Sequence, residues 1–227
     1  MQRTFLVGIG GVILGMAVGF FGANALNRND QAQSGAVPGP FTGASLPGST
    51  GGSGALSGQM PVVAATLAAA ENQPQDFVAQ MKAGQMYAAI GNFQQAIEFY
   101  KIGLALRPDD PQGNLVIANA YFDSGQFELA GDHYAKVLAR DPGNIAARTD
   151  LATTWVERSQ PDLDKAIAEF RAVLETEPNH EATLYNLAIA QFRKGDKEAA
   201  LNTLSDLEAA HPQSQLIGKL RQNIESN

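Results

Sequence analysis

Prolines at 74, 108, 142, 178 and 212 divide the stretch from 74 to 212 into lengths of 34, 34, 36 and 34 residues. The chemistry between them recurs. An alanine followed four residues later by a large apolar side chain appears as Ala96 and Tyr100, Ala130 and Tyr134, Ala166 and Phe170, Ala200 and Leu204. Earlier in each unit a small residue precedes a ring by three: Gly84 and Tyr87, Ala118 and Tyr121, Ala152 and Trp155. In the last unit Ala188 is followed by Gln191, a departure expected to weaken packing there. Gly91, Gly125 and Gly195 punctuate the middle of their units, where a left-handed residue would end a first helix. Small residues at two such positions let antiparallel helices approach, and the rings fill the volume beside the contact. Proline then stops the second helix, since its ring cannot continue the hydrogen-bond pattern. A two-helix unit cannot bury its apolar face alone, so the spacing predicts an all-α, right-handed solenoid of stacked hairpins.

These residues resemble the tetratricopeptide repeat, whose pattern is W-x2-L-G-x2-Y, then A-x3-F, then P. The resemblance covers four units, about 77–110, 111–144, 145–180 and 181–214, the third with two extra residues placed in SQPDLDK. Pro61 to Asn72 resembles the second helix of a degenerate leading repeat. Residues 214–226 read as a C-terminal capping helix burying Leu216, Ile217, Leu220 and Ile224. The domain so defined is 60–227, a superhelix of four repeats with flanking helices.

Residues 1–28 carry a different signal. Phe5 to Ala23 has no charge, and nineteen residues at 1.5 Å each nearly match the ~30 Å hydrocarbon core of a bilayer. The segment is expected to be a transmembrane anchor. Gly8, Gly11, Gly15, Gly19 and Gly22 fall on one narrow arc of that helix, a groove of small residues through which membrane helices pack. A cleaved secretory signal is the alternative, since Arg3 precedes the apolar run and Ala23-Asn24-Ala25 has the form of a peptidase site. An anchored chain would be a single-pass protein of the inner membrane, and a cleaved one periplasmic. Both readings place the C-terminal domain outside the cytoplasm, because the positive end of the segment is its amino terminus. Residues 29–59, rich in Gly, Ser, Pro and Thr and carrying one charge, read as a disordered linker with a root-mean-square span of about 30 Å.

Charge narrows the partner classes. From residue 31 onward there are 14 basic and 22 acidic residues, a body repelled by nucleic acid. With no cysteine, disulfides, thiolate metal sites and covalent haem attachment are excluded. No phosphate loop, nucleophile elbow or H-E-x-x-H motif is present, so neither enzyme nor cofactor is expected. The cluster Glu128, Asp132 and His133 in GQFELAGDHYAKVL is the nearest approach to a metal or acid/base site. The repeat puts Phe127, Ala130, Tyr134 and Val137 inside, which leaves Glu128, Asp132 and Lys136 as a solvated ladder on the opposite face.

The resemblance implies protein–protein interaction, with a partner's segment held in a groove lined by the first helix of each repeat. Carried over by repeat position, the groove falls to Met81 and Gln85; Leu115, Asn119, Phe122 and Asp123; Thr149, Thr153 and Val156; and Tyr185, Ile189, Phe192 and Arg193. Leu115, Phe122, Tyr185, Ile189 and Phe192 are the expected exposed apolar anchors. Asn119 could bond a ligand backbone or cap a neighbouring turn. The clamp for acidic tails found in some members needs Lys and Arg where this chain has Met81, Gln85 and Asp150, so an apolar or basic partner is expected. In plan the chain is similar to the tetratricopeptide subunits of cytochrome c maturation machinery, which hold an unfolded client near the membrane. The expectation is a membrane-tethered scaffold in assembly of an envelope complex. The alternatives are a self-assembling structural protein that forms homo-oligomers and, after cleavage, a periplasmic adaptor.

Overall fold

The computed structural model describes residues 56–226. The segment Phe5–Ala23 with its glycines Gly8, Gly11, Gly15, Gly19 and Gly22, and most of the linker, lie outside the described residues. Among the described residues there are ten helices and no strand, and no helix is long and apolar enough to cross a membrane. They form two units, one ending at Pro142 and one beginning at Gly143.

The first unit holds α1 (Leu56–Asn72), α2 (Phe77–Ala89), α3 (Phe93–Leu106), α4 (Pro111–Asp123) and α5 (Phe127–Arg140). The second holds α6 (Ile145–Glu157), α7 (Leu163–Thr176), α8 (Glu181–Lys194), α9 (Lys197–Ala210) and α10 (Leu216–Glu225). The pairs α2–α3, α4–α5, α6–α7 and α8–α9 are the four expected hairpins, each with its two helices packed together. Helix α1 starts at Leu56, so the last residues assigned to the linker are helical. The two extra residues of the third repeat lengthen the link between α6 and α7, as the SQPDLDK placement requires.

Local signals explain the boundaries. Asp76, Asp110 and Asn144 cap α2, α4 and α6 through side-chain oxygens that accept backbone N–H bonds. Pro111 occupies the first turn of α4, where its missing N–H costs nothing. Gly91, Gly125 and Gly195 take φ of 76°, 77° and 94°, the left-handed geometry that reverses the chain inside a hairpin.

The hairpin core follows the predicted spacing. Ala96, Ala118, Ala130, Ala152, Ala166, Ala188 and Ala200 are all completely buried, and so in effect are Tyr100, Tyr134, Phe170 and Leu204. Glycine replaces alanine at position 84, and there the ring of Tyr100 lies against the backbone of α2, inside the space a Cβ would occupy. Met81 meets Gly103 in the same way, with its terminal methyl over the α3 backbone. In the second unit α10 completes the core, with Leu220 and Ile224 buried and Leu216 and Ile217 packed at the edge.

Gly84→Ala is therefore expected to destabilise the chain by about 1–3 kcal/mol, because a ring fixed between two helices cannot retreat as a flexible side chain would. Urea denaturation followed by circular dichroism measures it. The same substitution at exposed Gly218, where nothing lies within 4 Å of the new Cβ, serves as the control.

Candidate partner-binding face

The thirteen residues assigned to a groove do not share one environment. Gln85, Leu115, Asn119, Asp123, Phe192 and Arg193 are half-buried. Met81, Phe122, Thr149, Thr153, Val156, Tyr185 and Ile189 are buried. The expectation that Phe122, Tyr185 and Ile189 stand exposed as anchors is corrected by their packing. Phe122 meets Phe127 edge to face with centroids 5.2 Å apart. Tyr185, Ile189 and Val156 belong to the apolar cluster that includes Leu220 and Ile224, and burial pushes the Tyr185 hydroxyl well above its usual pKa. Phe192 packs at the rim of that cluster.

Thr149 and Thr153 are covered because successive first helices meet. The Thr149 and Thr183 hydroxyls lie 2.8 Å apart, and Asn186 donates from Nδ2 to Thr153 Oγ1 at 3.0 Å. Thr153 in turn donates to the Thr149 carbonyl at 2.7 Å. At the far end Arg193 donates to Glu157 at 2.9 Å. Burial raises the Glu157 pKa, and the guanidinium of Arg193 opposes that shift. This polar seam joins α6 to α8, both within the second unit, and its buried hydrogen bonds fix the register of the two helices. The His180 ring caps α8 by accepting the Thr183 N–H at Nδ1, so its proton sits on Nε2. Thr183 and Asn186 carry no signal in the repeat pattern, which specifies packing and turn residues and not polar partners.

In the first unit Asn119 is committed on one side, since Tyr134 donates its hydroxyl to Asn119 Oδ1 at 2.7 Å. A backbone ligand wanting both amide groups would have to compete with that bond. His133 turns under its helix, away from exposed Glu128 and Asp132, and its Nδ1 lies 2.8 Å from Asn114 Oδ1. Asn114 spends both Nδ2 hydrogens on the Pro108 and Asp110 carbonyls, so its oxygen must accept and His133 Nδ1 must carry a proton. The imidazole ties α5 to the first turn of α4.

His133 also stacks on Tyr121 with centroids 5.5 Å apart. The same two repeat positions stack Tyr87 on Phe99, at 5.5 Å, and bond Thr203 to Gln191, at 2.8 Å. Gln191, read as a weakening departure, is thus a buried residue with its own partner. In the third repeat Lys165 sits over the Trp155 ring at 4.1 Å, while Glu169 takes a salt bridge to Arg148.

Comparison with known proteins agrees with this architecture. Residues 63–111, 82–145 and 158–224 match sequence profiles of the Tetratricopeptide repeat. The chain belongs to the tetratricopeptide repeat family. Curated relatives include a Tetratricopeptide repeat protein 21 homolog from Caenorhabditis briggsae, 27% identical over 128 residues, 56% of this chain and 10% of that protein. A Protein CTR9 homolog from Arabidopsis thaliana is 31% identical over 114 residues, 50% of this chain and 10% of that one. The chain thus spans about a tenth of the length of these relatives. Among solved structures, MamA from Desulfovibrio magneticus RS-1 superposes with a TM-score of 0.63 over 85% of this chain and 97% of that one, at 17% identity, a likeness of fold. Such repeats support a protein–protein interaction scaffold, a family role that is typically non-enzymatic.

The His133 contacts make stability depend on pH. Burial, and then the charge of Lys136, hold its pKa down at about 4, against the raising effect of Asp132. The unfolded chain, with an ordinary histidine near 6.5, takes up protons first. The stabilisation tied to neutral His133 is therefore complete above about pH 6.5 and lost as pH falls toward 4. Urea midpoints should drop across that window, and the drop should shrink in His133→Phe, which copies Phe99 of the first repeat.

Proposed function

We propose that this chain is a membrane-tethered tetratricopeptide scaffold whose first helices hold segments of other proteins during assembly of an envelope complex. The observation that carries the binding face is the half-buried set Gln85, Leu115, Asn119 and Asp123 on α2 and α4. Leu115 is the apolar contact of that set, with amide and carboxylate groups around it to orient an extended segment. On α8, half-buried Phe192 stands at the rim of the second unit's apolar cluster, beside Arg193, whose guanidinium is paired with Glu157. The face carries acidic Asp123 within an acidic body, which favours apolar or basic client segments over acidic tails. An unfolded client of the kind handled in cytochrome c maturation would suit such a face.

Tethering rests on the uncharged run Phe5–Ala23 and the Gly/Ser/Pro stretch behind it. The anchor would keep the repeat domain on the outer side of the inner membrane, with a reach of about 30 Å. Deleting residues 1–28 is expected to move the protein from the membrane fraction to the soluble fraction. Processing after Ala25, read by amino-terminal sequencing of the mature chain, would replace the anchor with a cleaved signal and make the protein a periplasmic adaptor.

Binding is tested with Gln85→Glu and Leu115→Glu together, leaving buried Phe122 untouched. The helical circular dichroism signal should persist. Crosslinking in native membranes should lose its captured proteins, at least roughly tenfold for an anchor worth 1.4 kcal/mol or more. An unchanged capture pattern would remove this face from consideration.

A further inference from the structure

The third repeat turns differently from its neighbours. Backbone bonds from Asn92 to Tyr87, from Gln126 to Tyr121 and from Asp196 to Gln191 each close a hairpin turn that holds a left-handed glycine. The same bond in the third repeat, from the Asp162 N–H to the Trp155 carbonyl at 2.9 Å, encloses two more residues and no glycine. Ser159, Gln160 and Pro161 are exposed there, and the N–H groups of Ser159 and Gln160 go to no acceptor among the described residues. Exposed loops on a rigid scaffold are where binding residues concentrate.

Arg158 stands at the base of this loop. Its N–H donates to the Thr154 carbonyl at 3.0 Å and its φ is −56°, so its side chain leaves the backbone as in a helix, three residues beyond Trp155 on the same face of α6. The residue is half-buried, and its Nε is shielded from water with no hydrogen-bond partner. An unmet buried donor calls for an explanation. The guanidinium also holds no carboxylate among the described residues. Arg140, Arg148, Arg193 and Arg221 each have one, Arg107 lies over the Phe77 ring, and Arg171 is exposed. Lys165 is a second cation without a carboxylate among the described residues, its ammonium 4.1 Å from the centre of the Trp155 ring. The acidic residues adjoining the pair are engaged: Glu157 with Arg193, Asp164 with Lys194, and Asp162 as the cap of α7, accepting the Lys165 N–H at 3.1 Å. Two open cations against one capping carboxylate leave this corner locally positive on an acidic chain.

We infer that Arg158 and Lys165, gathered at the Trp155 ring, form a binding site for a carboxylate. A guanidinium whose stem is already packed loses little rotamer freedom on binding, and its terminal nitrogens offer a fork that a carboxylate meets with two parallel bonds. The free N–H groups of Ser159 and Gln160 add neutral donors beside that fork. A carboxylate is favoured over a phosphate because the chain carries 14 basic against 22 acidic residues from residue 31 onward, and a doubly charged ligand meets more of that repulsion. The site is separate from the client face on α2 and α4 and stands whether or not that face binds.

Trp155 is the sole tryptophan of the chain, so its emission reports a ligand arriving beside the ring. The full-length protein in non-ionic detergent is titrated at constant ionic strength with an end-capped peptide carrying Glu-Glu, and with the same peptide carrying Gln-Gln. The Glu peptide should change the emission saturably, and the Gln peptide should not. Arg158→Gln should weaken binding at least roughly tenfold, with Arg158→Lys in between because it keeps the charge and loses the fork. Lys165→Gln, on exposed α7 surface, repeats the test without touching the packed stem of Arg158, read by the anisotropy of a fluorescein-labelled Glu peptide. It should also weaken binding, and Lys165→Arg should retain it. Succinate binding as tightly as the peptide would support the site with a free acid as its ligand, and a clear advantage of the peptide would support it with a protein segment. An equal response to the Gln peptide would overturn the inference. So would tighter binding of inorganic phosphate, or unchanged affinity in both Arg158→Gln and Lys165→Gln.

Discussion

The structure depends on how closely two antiparallel helices can approach within a hairpin. Alanine or glycine at the contact brings the backbones together, and a ring or leucine from the second helix closes the remaining volume. Gly84 under the ring of Tyr100 is one such close approach, and Ala118 and Tyr134, both fully buried, hold the same two repeat positions in the next unit. Each hairpin is still apolar on its flanks, so stacking follows from the same contact, and a helix without its neighbour is left with an unfilled wall.

A second level of organisation varies from repeat to repeat. The pair of positions occupied by Tyr87 and Phe99 holds stacked rings, then a tyrosine with a histidine, and finally a glutamine with a threonine. The geometry of the hairpin keeps these two side chains opposite each other, while their chemistry is free to change as long as both remain satisfied. His133 is explained by this pairing. Its imidazole is a structural ring with a hydrogen bond to Asn114, and the carboxylates beside it in sequence face solvent.

Burial reshapes the binding face implied by family likeness. Repeat positions that line a groove where neighbours are absent become helix-to-helix contacts where a neighbour is present. The Thr149–Thr183 and Thr153–Asn186 bonds are the clearest instance. What stays accessible is a smaller set, with Leu115 and Asn119 in the first unit and Phe192 and Arg193 in the second.

The spacing of proline, alanine and ring determined the all-helical class, the four hairpins, the turn glycines and the capping helix, because backbone conformation and a periodic apolar face are local properties that residue type dictates. The two-residue insertion could be placed from sequence for the same reason. Only the tertiary structure decided that Phe122, Tyr185 and Ile189 are interior, that Gln191 has a partner in Thr203, and that His133 carries its proton on Nδ1. Those outcomes turn on which side chains from distant segments arrive at the same point, and a pattern of 34 residues specifies that helices meet without specifying what their polar groups will find there.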